Sequence, residues 1–398
     1  MSWPLVEIGK LVSKVQTWNP TKSENTDSFN YVDLSSVDKA NKVIDSALVP
    51  KVLPSEAPSR ARQLICHNDV IVATVRPNLN GVALVPKQLH GSTASTGYCV
   101  LRPIPEKLCA KYLFYWVQTS SFVSDMMSKA TGANYPAVSD KTVKGNKIPL
   151  PPLDEQKRIA AILDKADSVR RKRQQAIELA DDFLRSVFLN MFGDPVANPK
   201  CWELRSMKDL IHIQGGYAFK SGDFEETGVP VVKIGNANKV GFTTKGIAFI
   251  NPKNPEKLKQ YELQAGDLLM SLTGTVGKDD YANVTEVTDE YEKYYLNQRV
   301  AKIKVVENSL TKNYLKYFLG EPRIKAEITK NNRGVRQANI SNADIYDLNM
   351  PLPPRELLEK FDLILSQIQK MQRKTSIVPR INEEFFSSLS QKAFSGEL

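Results

Sequence analysis

The chain has 398 residues and a formal net charge of +10, with 41% hydrophobic and 25% charged residues. One hydrophobic core rarely serves so long a chain, so we predict two or more domains. No stretch approaches the roughly 18 to 20 apolar residues of a membrane span, and the N-terminus lacks the basic start and apolar run of a signal peptide. We therefore expect a cytoplasmic protein without a membrane partner.

The sequence contains an internal repeat. "YVDLSSV" at 31 matches "VVKIGNA" at 231, and "NDVIVATV" at 68 matches "GDLLMSLT" at 266. From Pro149, which matches Pro351, the offset stays at 202 to the C-terminus. The repeat predicts two globular segments, 1–150 and 196–350, each followed by a long helical segment, 151–195 and 351–398.

Both globular segments mix strand and helix patterns. Short β-branched runs such as "DVIVATV", "GVALV", "DLLMSL" and "VAKIKVV" lie between Gly, Pro and Asn residues, which indicates strands. "AKYLFYWVQTSSFVSDMM" and "TKNYLKYFLGEPRIKAEI" have helical spacing. The prediction is an α+β fold in each half, with a pseudo-two-fold internal repeat.

Each long helical segment begins after a P-L-P-P sequence, because a residue before proline is disfavoured in helical geometry. Apolar residues then alternate in steps of three and four, which predicts a coiled-coil seam. The predicted seam residues are Ile159, Ile162, Val169, Phe183, Val187, Phe361, Ile364, Ile368, Met371, Phe385 and Leu389. Arg173 and Thr375 occupy matching polar positions, which either set the register or lie at a solvated edge. Pro379 predicts a kink near Val378.

The excess positive charge lies in the globular segments. Residues 1–150 carry 17 Lys and Arg against 11 Asp and Glu, and residues 196–350 carry 22 against 19. Residues 151–195 carry eight of each sign. This distribution fits globular parts that face a polyanion.

Catalytic motifs are missing from the sequence. We find no phosphate-binding P-loop, dinucleotide fingerprint, H-E-x-x-H or G-x-S-x-G, and neither the three histidines nor the four cysteines have metal-ligand spacing. We therefore predict no catalytic residue, metal or cofactor in this chain, and favour a binding protein.

The chain resembles the specificity subunits of type I restriction–modification systems. The resemblance rests on "IPLPPLDEQKRIAAIL" with the following helix, on "GGYAFKSGDF" at 215 and on "MPLPP" before the last helix. The second helix departs from the pattern, since "RELLEKF" replaces "DEQKRIA" and Leu358 stands where Gln156 is expected.

The resemblance implies a role for each part. Each globular segment is a target recognition domain that reads one half of a split sequence in double-stranded DNA, and the helices pair antiparallel and set the gap. The subunit has no catalytic activity. It recruits two DNA adenine methyltransferase subunits, which restriction/translocase subunits join, so S-adenosylmethionine and ATP belong to the partners.

Side chains suited to base edges cluster in loops. Arg and Lys pair with guanine, and Asn and Gln pair with adenine, in the major groove. The candidate DNA-binding residues are Arg76, Asn78, Asn80, Asn134 and Tyr135 in the first segment, and Tyr217, Lys220, Ser221, Thr275, Lys278, Arg333, Arg336, Gln337 and Asn339 in the second. The alternative is that Asn and Gly shape turns here. Lys157, Arg158, Arg170, Arg171 and Lys172 contact phosphates or form a solvated helix face.

Two other classes of function remain open. A methyltransferase or nuclease with fused recognition domains would bind S-adenosylmethionine by itself. A coiled-coil scaffold would give no sequence-specific DNA protection, even with partner methyltransferases present.

Overall fold

The computed structural model describes residues 3–24, 26–132, 135–276, 278–330, 337–375 and 379–398, and it describes the side chains of these residues except those of 373–385. The chain divides into two compact units. The first unit comprises Met1–Ala176 and Thr375–Leu398, and the second comprises Ile177–Lys374. The long central helix therefore begins in the first unit and ends in the second.

The first unit contains two four-stranded sheets. One sheet has the strand order Lys51–Val52, Phe29–Val32, Thr93–Ser95, Ala61–Leu64. The other has the order Val12–Ser13, Tyr98–Pro103, Val70–Ala73, Val82–Leu84. Two-stranded pairs join Leu5–Glu7 to Lys147–Pro149 and Val37–Asp38 to Val43–Ile44. The helices are Ala110–Trp116, Ser120–Ser128 and Asp140–Gly145.

The second unit repeats these sheets strand for strand. Its first sheet has the order Ala248–Ile250, Val229–Val232, Tyr294–Leu296, Glu262–Leu263. Its second has the order Ile211–Gly215, Val300–Val305, Leu268–Ser271, Val284–Glu286. Two-stranded pairs join Glu203–Ser206 to Asn349–Leu352, Ala237–Asn238 to Gly241–Phe242 and Thr273–Thr275 to Gln337–Asn339. The helices are Met207–Leu210, Lys312–Gly320, Pro322–Thr329 and Asn342–Tyr346.

The predicted α+β fold with an internal repeat is therefore confirmed. The β-branched run at 70–73 is a strand whose four residues are all buried, as is its counterpart Leu268–Ser271. Burial on both faces explains the apolar runs Val70–Ala73 and Leu268–Met270, which do not alternate with exposed polar residues.

Each P-L-P-P sequence is anchored by a buried tyrosine from its own globular unit. The Tyr112 hydroxyl donates to the Pro149 carbonyl over 2.8 Å, and the Tyr314 hydroxyl donates to the Pro351 carbonyl over 2.7 Å. These hydrogen bonds fix the chain where a strand ends and a helix begins, because the following prolines prevent an earlier helical start. The tyrosines, like the prolines, are 202 positions apart.

The central helix spans Leu153–Phe192 and has 40 residues, which corresponds to about 60 Å. Asp154 and Glu155 lie in its first turn, where a carboxylate interacts favourably with the helix dipole. Gly193 ends it with a φ of +81°, and its N–H donates to the Leu189 carbonyl over 2.8 Å. A side chain at Gly193 would also clash with Pro199. The predicted long helix is confirmed.

The C-terminal segment forms two helices, Arg355–Thr375 and Pro379–Ser395. Pro379 is the first residue of the second helix, where its missing N–H has no helical partner to lose. Val378, where we predicted the kink, lies outside the described residues.

In the first unit, the start of the central helix packs with the end of the C-terminal helix. Ile159, Ala160 and Leu163 share a buried cluster with Ala393 and Phe394. The Phe394 ring lies 5.0 Å from that of Tyr112 and 5.1 Å from that of Trp116, which extends the core of the globular part into the helices.

In the second unit, the end of the central helix packs with the start of the C-terminal segment. Phe188 and Phe192 surround Phe361, with ring centroids 5.7 and 5.5 Å from it. Tyr314 completes the cluster at 4.8 Å from Phe192. In both units the start of one helical segment therefore meets the end of the other, which is the order of an antiparallel pair.

Part of the predicted seam was wrong. Val169, Phe183 and Met371 are 43%, 55% and 67% exposed, respectively. The predicted seam residue Ile159 is buried, and the other buried apolar positions of the central helix are Ala160, Leu163, Leu184, Phe188 and Phe192. Ile162, Val187, Ile364, Ile368 and Leu389 are partly buried, Phe361 is fully buried, and the side chain of Phe385 lies outside the described set.

The error has a physical reason. Apolar residues occur in adjacent pairs, such as Ile162 with Leu163 and Val187 with Phe188, so two neighbouring stripes of the helix are apolar. Periodicity cannot choose between stripes that differ by one residue. The core of the globular part makes the choice, because it receives Leu163 in the first unit and Phe188 in the second.

Candidate nucleic-acid interface

Two candidate segments of the first unit meet at an exposed surface. Val75 and Ala137 form an isolated β-bridge, and the Arg76 N–H donates to the Pro136 carbonyl over 2.6 Å. The Arg76 guanidinium lies 4.5 Å from the centroid of the Tyr135 ring, and Tyr135 is 66% exposed. The guanidinium is thus held over an aromatic face while its donors remain accessible to a ligand.

The backbone of this loop is unusual. Arg76 has a φ of +52° and Asn80 has a φ of +44°, on either side of the 3-10 turn Pro77–Leu79. Left-handed conformations are uncommon outside glycine and cluster at functional sites. Asn78 lies on the turn and is exposed. The turn therefore presents Arg76 and Asn78 to solvent.

Asn80 has a different environment. Its backbone and side-chain oxygens accept from the Lys42 ammonium at 2.6 and 3.3 Å, and its Nδ2 donates to the Val117 carbonyl over 3.1 Å. These contacts favour the turn-forming role that was the alternative for this residue. Burial, with Arg170 nearby, lowers the pKa of Lys42 to about 8.

The second unit has a more regular arrangement at the matching place. Strand Thr273–Thr275 pairs with strand Gln337–Asn339, so Thr275 lies opposite Gln337 and Thr273 lies opposite Asn339. Thr275, Gln337 and Asn339 are exposed. This strand pair corresponds to the Val75–Ala137 bridge, because Ile340 N–H bonds to Leu272 O just as Val138 N–H bonds to Thr74 O.

A cleft of about 540 Å³ opens beside this strand pair. Thr275, Gln337, Asn238, Asp280 and Arg299 are among the residues that line it. Lys278 lies next to it on the same loop, with its N–H bonded to the Thr275 carbonyl over 3.0 Å. Sequence reasoning missed Arg299, whose place between two buried strands carries no motif.

The glycine-rich loop forms a separate exposed patch. The Tyr217 ring packs 4.9 Å from Phe219 and 5.4 Å from Tyr261, and Tyr217 remains 41% exposed. Lys220 and Ser221 are exposed, and the Lys220 N–H is bound by Asp223 over 2.9 Å. Tyr217 therefore contacts Phe219 on the same loop and Tyr261 at the end of the 3-10 helix Pro255–Tyr261.

Three candidates, Asn134, Arg333 and Arg336, lie outside the described residues.

The basic residues of the central helix are largely occupied by intrahelical ion pairs. Arg158 bonds to Glu155 at 2.7 Å, and Arg170 and Arg171 both bond to Asp167, at 2.8 and 2.6 Å. These pairs favour a structural role for the three arginines over phosphate contact.

Gln156 has a structural role that its sequence position did not reveal. It is only 1% exposed, its Oε1 accepts from the Cys109 N–H over 2.9 Å, and its Nε2 donates to the carbonyls of Lys107 and Pro151 at 3.1 and 2.9 Å. The side chain therefore pins the first turn of the central helix to the globular part.

No helix in the described part of the chain is long and apolar enough to cross a membrane.

The chain is 26% identical over 368 residues to the type I restriction enzyme MjaVIII specificity subunit of Methanocaldococcus jannaschii, covering 89% of this chain and 83% of that protein. It is 23% identical to the EcoKI specificity subunit of Escherichia coli K12, covering 89% and 79%, respectively.

Solved structures agree with this similarity. A chain from a type I R-M system is 25% identical, with a TM-score of 0.54 and coverage of 100% of this chain and 98% of that one. The type I restriction-modification S subunit of M. genitalium, at 15% identity with 99% and 96% of the two chains covered, has a TM-score of 0.53 and supports the fold alone. Residues 3–179 and 199–383 match the family described as the type I restriction modification DNA specificity domain, and the chain belongs to this family.

Proposed function

We propose that this chain is the non-catalytic DNA specificity subunit of a type I restriction–modification complex. Each globular unit reads one half of a bipartite target in double-stranded DNA, and the helices set the gap between the halves. The observation that carries this proposal is the equivalent placement of Val75–Ala137 and Thr273–Asn339 in two units with matching sheets. One backbone frame presents two different sets of side chains, as two different half-sites require.

The chemistry of the two surfaces supports readers of different bases. Arg76 offers a bidentate donor pair of the kind that recognises guanine, and Gln337 offers the donor and acceptor that recognise adenine. The exposed Tyr135 ring supplies an apolar surface beside the arginine.

Partners and cofactors follow from this role. Two DNA adenine methyltransferase subunits join the chain in the cytoplasm, followed by restriction/translocase subunits. S-adenosylmethionine and ATP bind to those partners. If the isolated chain bound S-adenosylmethionine tightly in calorimetry, the fused-enzyme alternative would replace this proposal.

Methylome sequencing tests the proposal directly. A strain that carries this chain with its methyltransferase partner should gain adenine methylation at one bipartite motif with a fixed gap. A strain that carries the methyltransferase alone is the control and should lack the motif. Methylation that is identical in both strains would favour the scaffold alternative.

The spacer role has its own test. Inserting one turn of four residues after Lys165, and a matching turn after Lys370, lengthens both helical segments by about 6 Å. The DNA rise of about 3.4 Å per base pair then predicts a gap longer by one or two base pairs, with unchanged half-sites. An unchanged gap would show that the helices are not the ruler.

A further inference from the structure

The second unit contains a basic cleft next to the candidate readers described above, and Lys278 is the one described candidate that lines it. The cleft has a volume of about 680 Å³ and lies beside helix Pro322–Thr329. We define the basic cleft by six of its described lining residues, Arg185, Lys239, Lys278, Asp279, Asn283 and Lys325. Four cations and one carboxylate therefore face one concave surface.

Asp279 organises the cations without neutralising all of them. Its Oδ2 accepts from the Lys239 ammonium over 2.6 Å, and its other oxygen pairs with Lys325. Hydrogen bonds from Lys239 and Lys325 hold the pKa of Asp279 below its ordinary value, so it stays ionised at neutral pH. One negative charge then fixes two ammonium groups at the cleft, and each ammonium has three donors.

The buried carboxylate of Glu321 orients the Arg185 side chain. Its Nε donates to the Oε1 of Glu321 over 3.1 Å, and Glu321 is 5% exposed. The pairing orients the guanidinium while about half of its side chain remains accessible, at 49% exposure. The four cations of the basic cleft therefore outnumber the two carboxylates that pair with them, Asp279 and Glu321.

A buried donor on the same surface lacks an acceptor. Asn283 is 6% exposed, and its Oδ1 accepts from the Lys325 ammonium over 2.8 Å. Because an ammonium only donates, this contact fixes the orientation of the amide and identifies Nδ2 as the second polar atom. Within the described part of the chain, Nδ2 has no hydrogen-bond partner. Buried donors are nearly always satisfied in native proteins, so this one indicates a ligand that accepts.

The basic cleft therefore suits a group that is anionic and offers only acceptor oxygens, which describes a phosphate group. It adjoins the cleft beside the Thr275–Gln337 strand pair, because Asn238 lines both. Lys278 belongs to the loop that links the two. A phosphate held here would lie next to bases read by the second unit.

We propose that the basic cleft binds a backbone phosphate of the DNA next to the half-site read by the second unit. This inference rests on the proposed function, since it assigns a phosphate contact to the same DNA. The described residues of the first unit do not repeat this site. Gly81 stands in the place of Asn283, because the Ala73 N–H bonds to the Gly81 carbonyl just as the Ser271 N–H bonds to the Asn283 carbonyl. Val123 occupies the repeat position of Lys325.

The test uses the full chain in complex with its methyltransferase subunits, bound to a duplex that contains the methylated motif. The dissociation constant is measured against salt concentration. Lys325→Met should weaken binding about five- to tenfold and lower the log–log salt slope by about 0.9, as loss of one phosphate contact requires. Asn283→Ala should weaken binding without lowering the slope, because it removes a neutral donor.

Two further variants provide controls. Asp279→Asn removes a carboxylate that lines the basic cleft and should tighten binding about two- to fivefold, which a folding defect cannot do. Lys208→Met removes an exposed lysine whose partner is Asp347, outside the basic cleft, and should leave the slope unchanged. An equal loss of slope in Lys325→Met and Lys208→Met would overturn the proposal.

Neutral methylphosphonate linkages locate the phosphate. One linkage next to the second half-site should weaken the wild-type complex but cause little further loss in Lys325→Met. Additive losses at every linkage would contradict the inference. Calorimetry with inorganic phosphate and ATP tests a free ligand, and Lys325-dependent binding of either one with unchanged DNA affinity would also overturn it.

The two proposals fail in distinguishable ways. If the wild-type complex binds target and non-target duplexes equally, the proposed function fails. If target binding is specific but all basic-cleft variants match the wild type in affinity and slope, only the phosphate site is wrong.

Discussion

The two units share a backbone plan but differ in how they attach their helices and what they expose. Both anchor a proline carbonyl with a buried tyrosine hydroxyl, at Pro149 and at Pro351. The first unit then holds its helix with the amide of Gln156, whereas the second buries Leu358 and Phe361. The frame of strands and turns is repeated because both halves must bury the same sheets, while contacts outside that frame have diverged.

The exposed loops differ even more. The first unit places one guanidinium over one ring, held by an isolated bridge. The second builds a three-residue strand pair with clefts on it. Loops tolerate such changes because they contribute little to the core, and they therefore carry the specificity.

The aromatic attachment of the second unit should give the largest effect. Phe188→Ala removes a fully buried ring that contacts Phe192, Tyr314 and Phe361, and should lower the free energy of unfolding by about 3–5 kcal/mol. Phe183→Ala is the matched control, because Phe183 is 55% exposed, and should cost less than about 1 kcal/mol. Chemical denaturation measures both. Equal losses would restore the seam predicted from periodicity.

Exchanging the two attachments should be costly in both directions. Gln156→Leu leaves the Cys109 N–H and the carbonyls of Lys107 and Pro151 without this partner, and should cost about 2–3 kcal/mol. Leu358→Gln buries an amide in an apolar cluster and should cost a similar amount. Denaturation curves of the two variants give the comparison. A neutral effect at either site would mean that the attachments are interchangeable.

The reading surfaces should respond separately. Arg76→Ala should cost about 1–3 kcal/mol of discrimination in the first half-site, and Gln337→Ala should do the same in the second. Methylome sequencing of strains with each variant shows which half of the motif is relaxed. If both variants relaxed the same half, the assignment of one half-site to each unit would be wrong.

Lys42 provides a smaller, pH-dependent difference. Its pKa of about 8 in the folded chain lies below the ordinary value near 10.4 of an unfolded lysine. The unfolded chain therefore binds more protons between these values, so this group adds stability as the pH rises from about 8 to 10.5. The second unit has no equivalent titration at this position, because Val240 stands before strand Gly241–Phe242 where Lys42 stands before strand Val43–Ile44.

The measurement compares the wild type with Lys42→Met at pH 7 and pH 9.5 by chemical denaturation. From pH 7 to pH 9.5, the free energy of unfolding of the wild type should rise relative to that of the variant. The rise should be less than about 1 kcal/mol, because solvent screens this partly exposed group. A wild type that loses stability relative to Lys42→Met over this range would contradict the lowered pKa.

The sequence by itself determined the repeat, the α+β character and the long helix after each P-L-P-P. These features depend on local rules, since proline excludes helical geometry before it and β-branched runs between turn residues favour strands. It also identified Arg76 and Tyr135, and Thr275 and Gln337, as exposed polar positions in matching places. Local composition was sufficient for all of these.

Only the tertiary structure decided which helix stripe is buried, which loop residues meet and where the basic cleft lies. The stripe depends on a core built from Tyr314 and Phe361, far from Phe188 in sequence. Asn80 looked like a base reader until Lys42 and Val117 were found to occupy its polar atoms. The basic cleft joins Arg185 to Lys325 across 140 residues, and no local pattern predicts such a contact because long-range packing alone creates it.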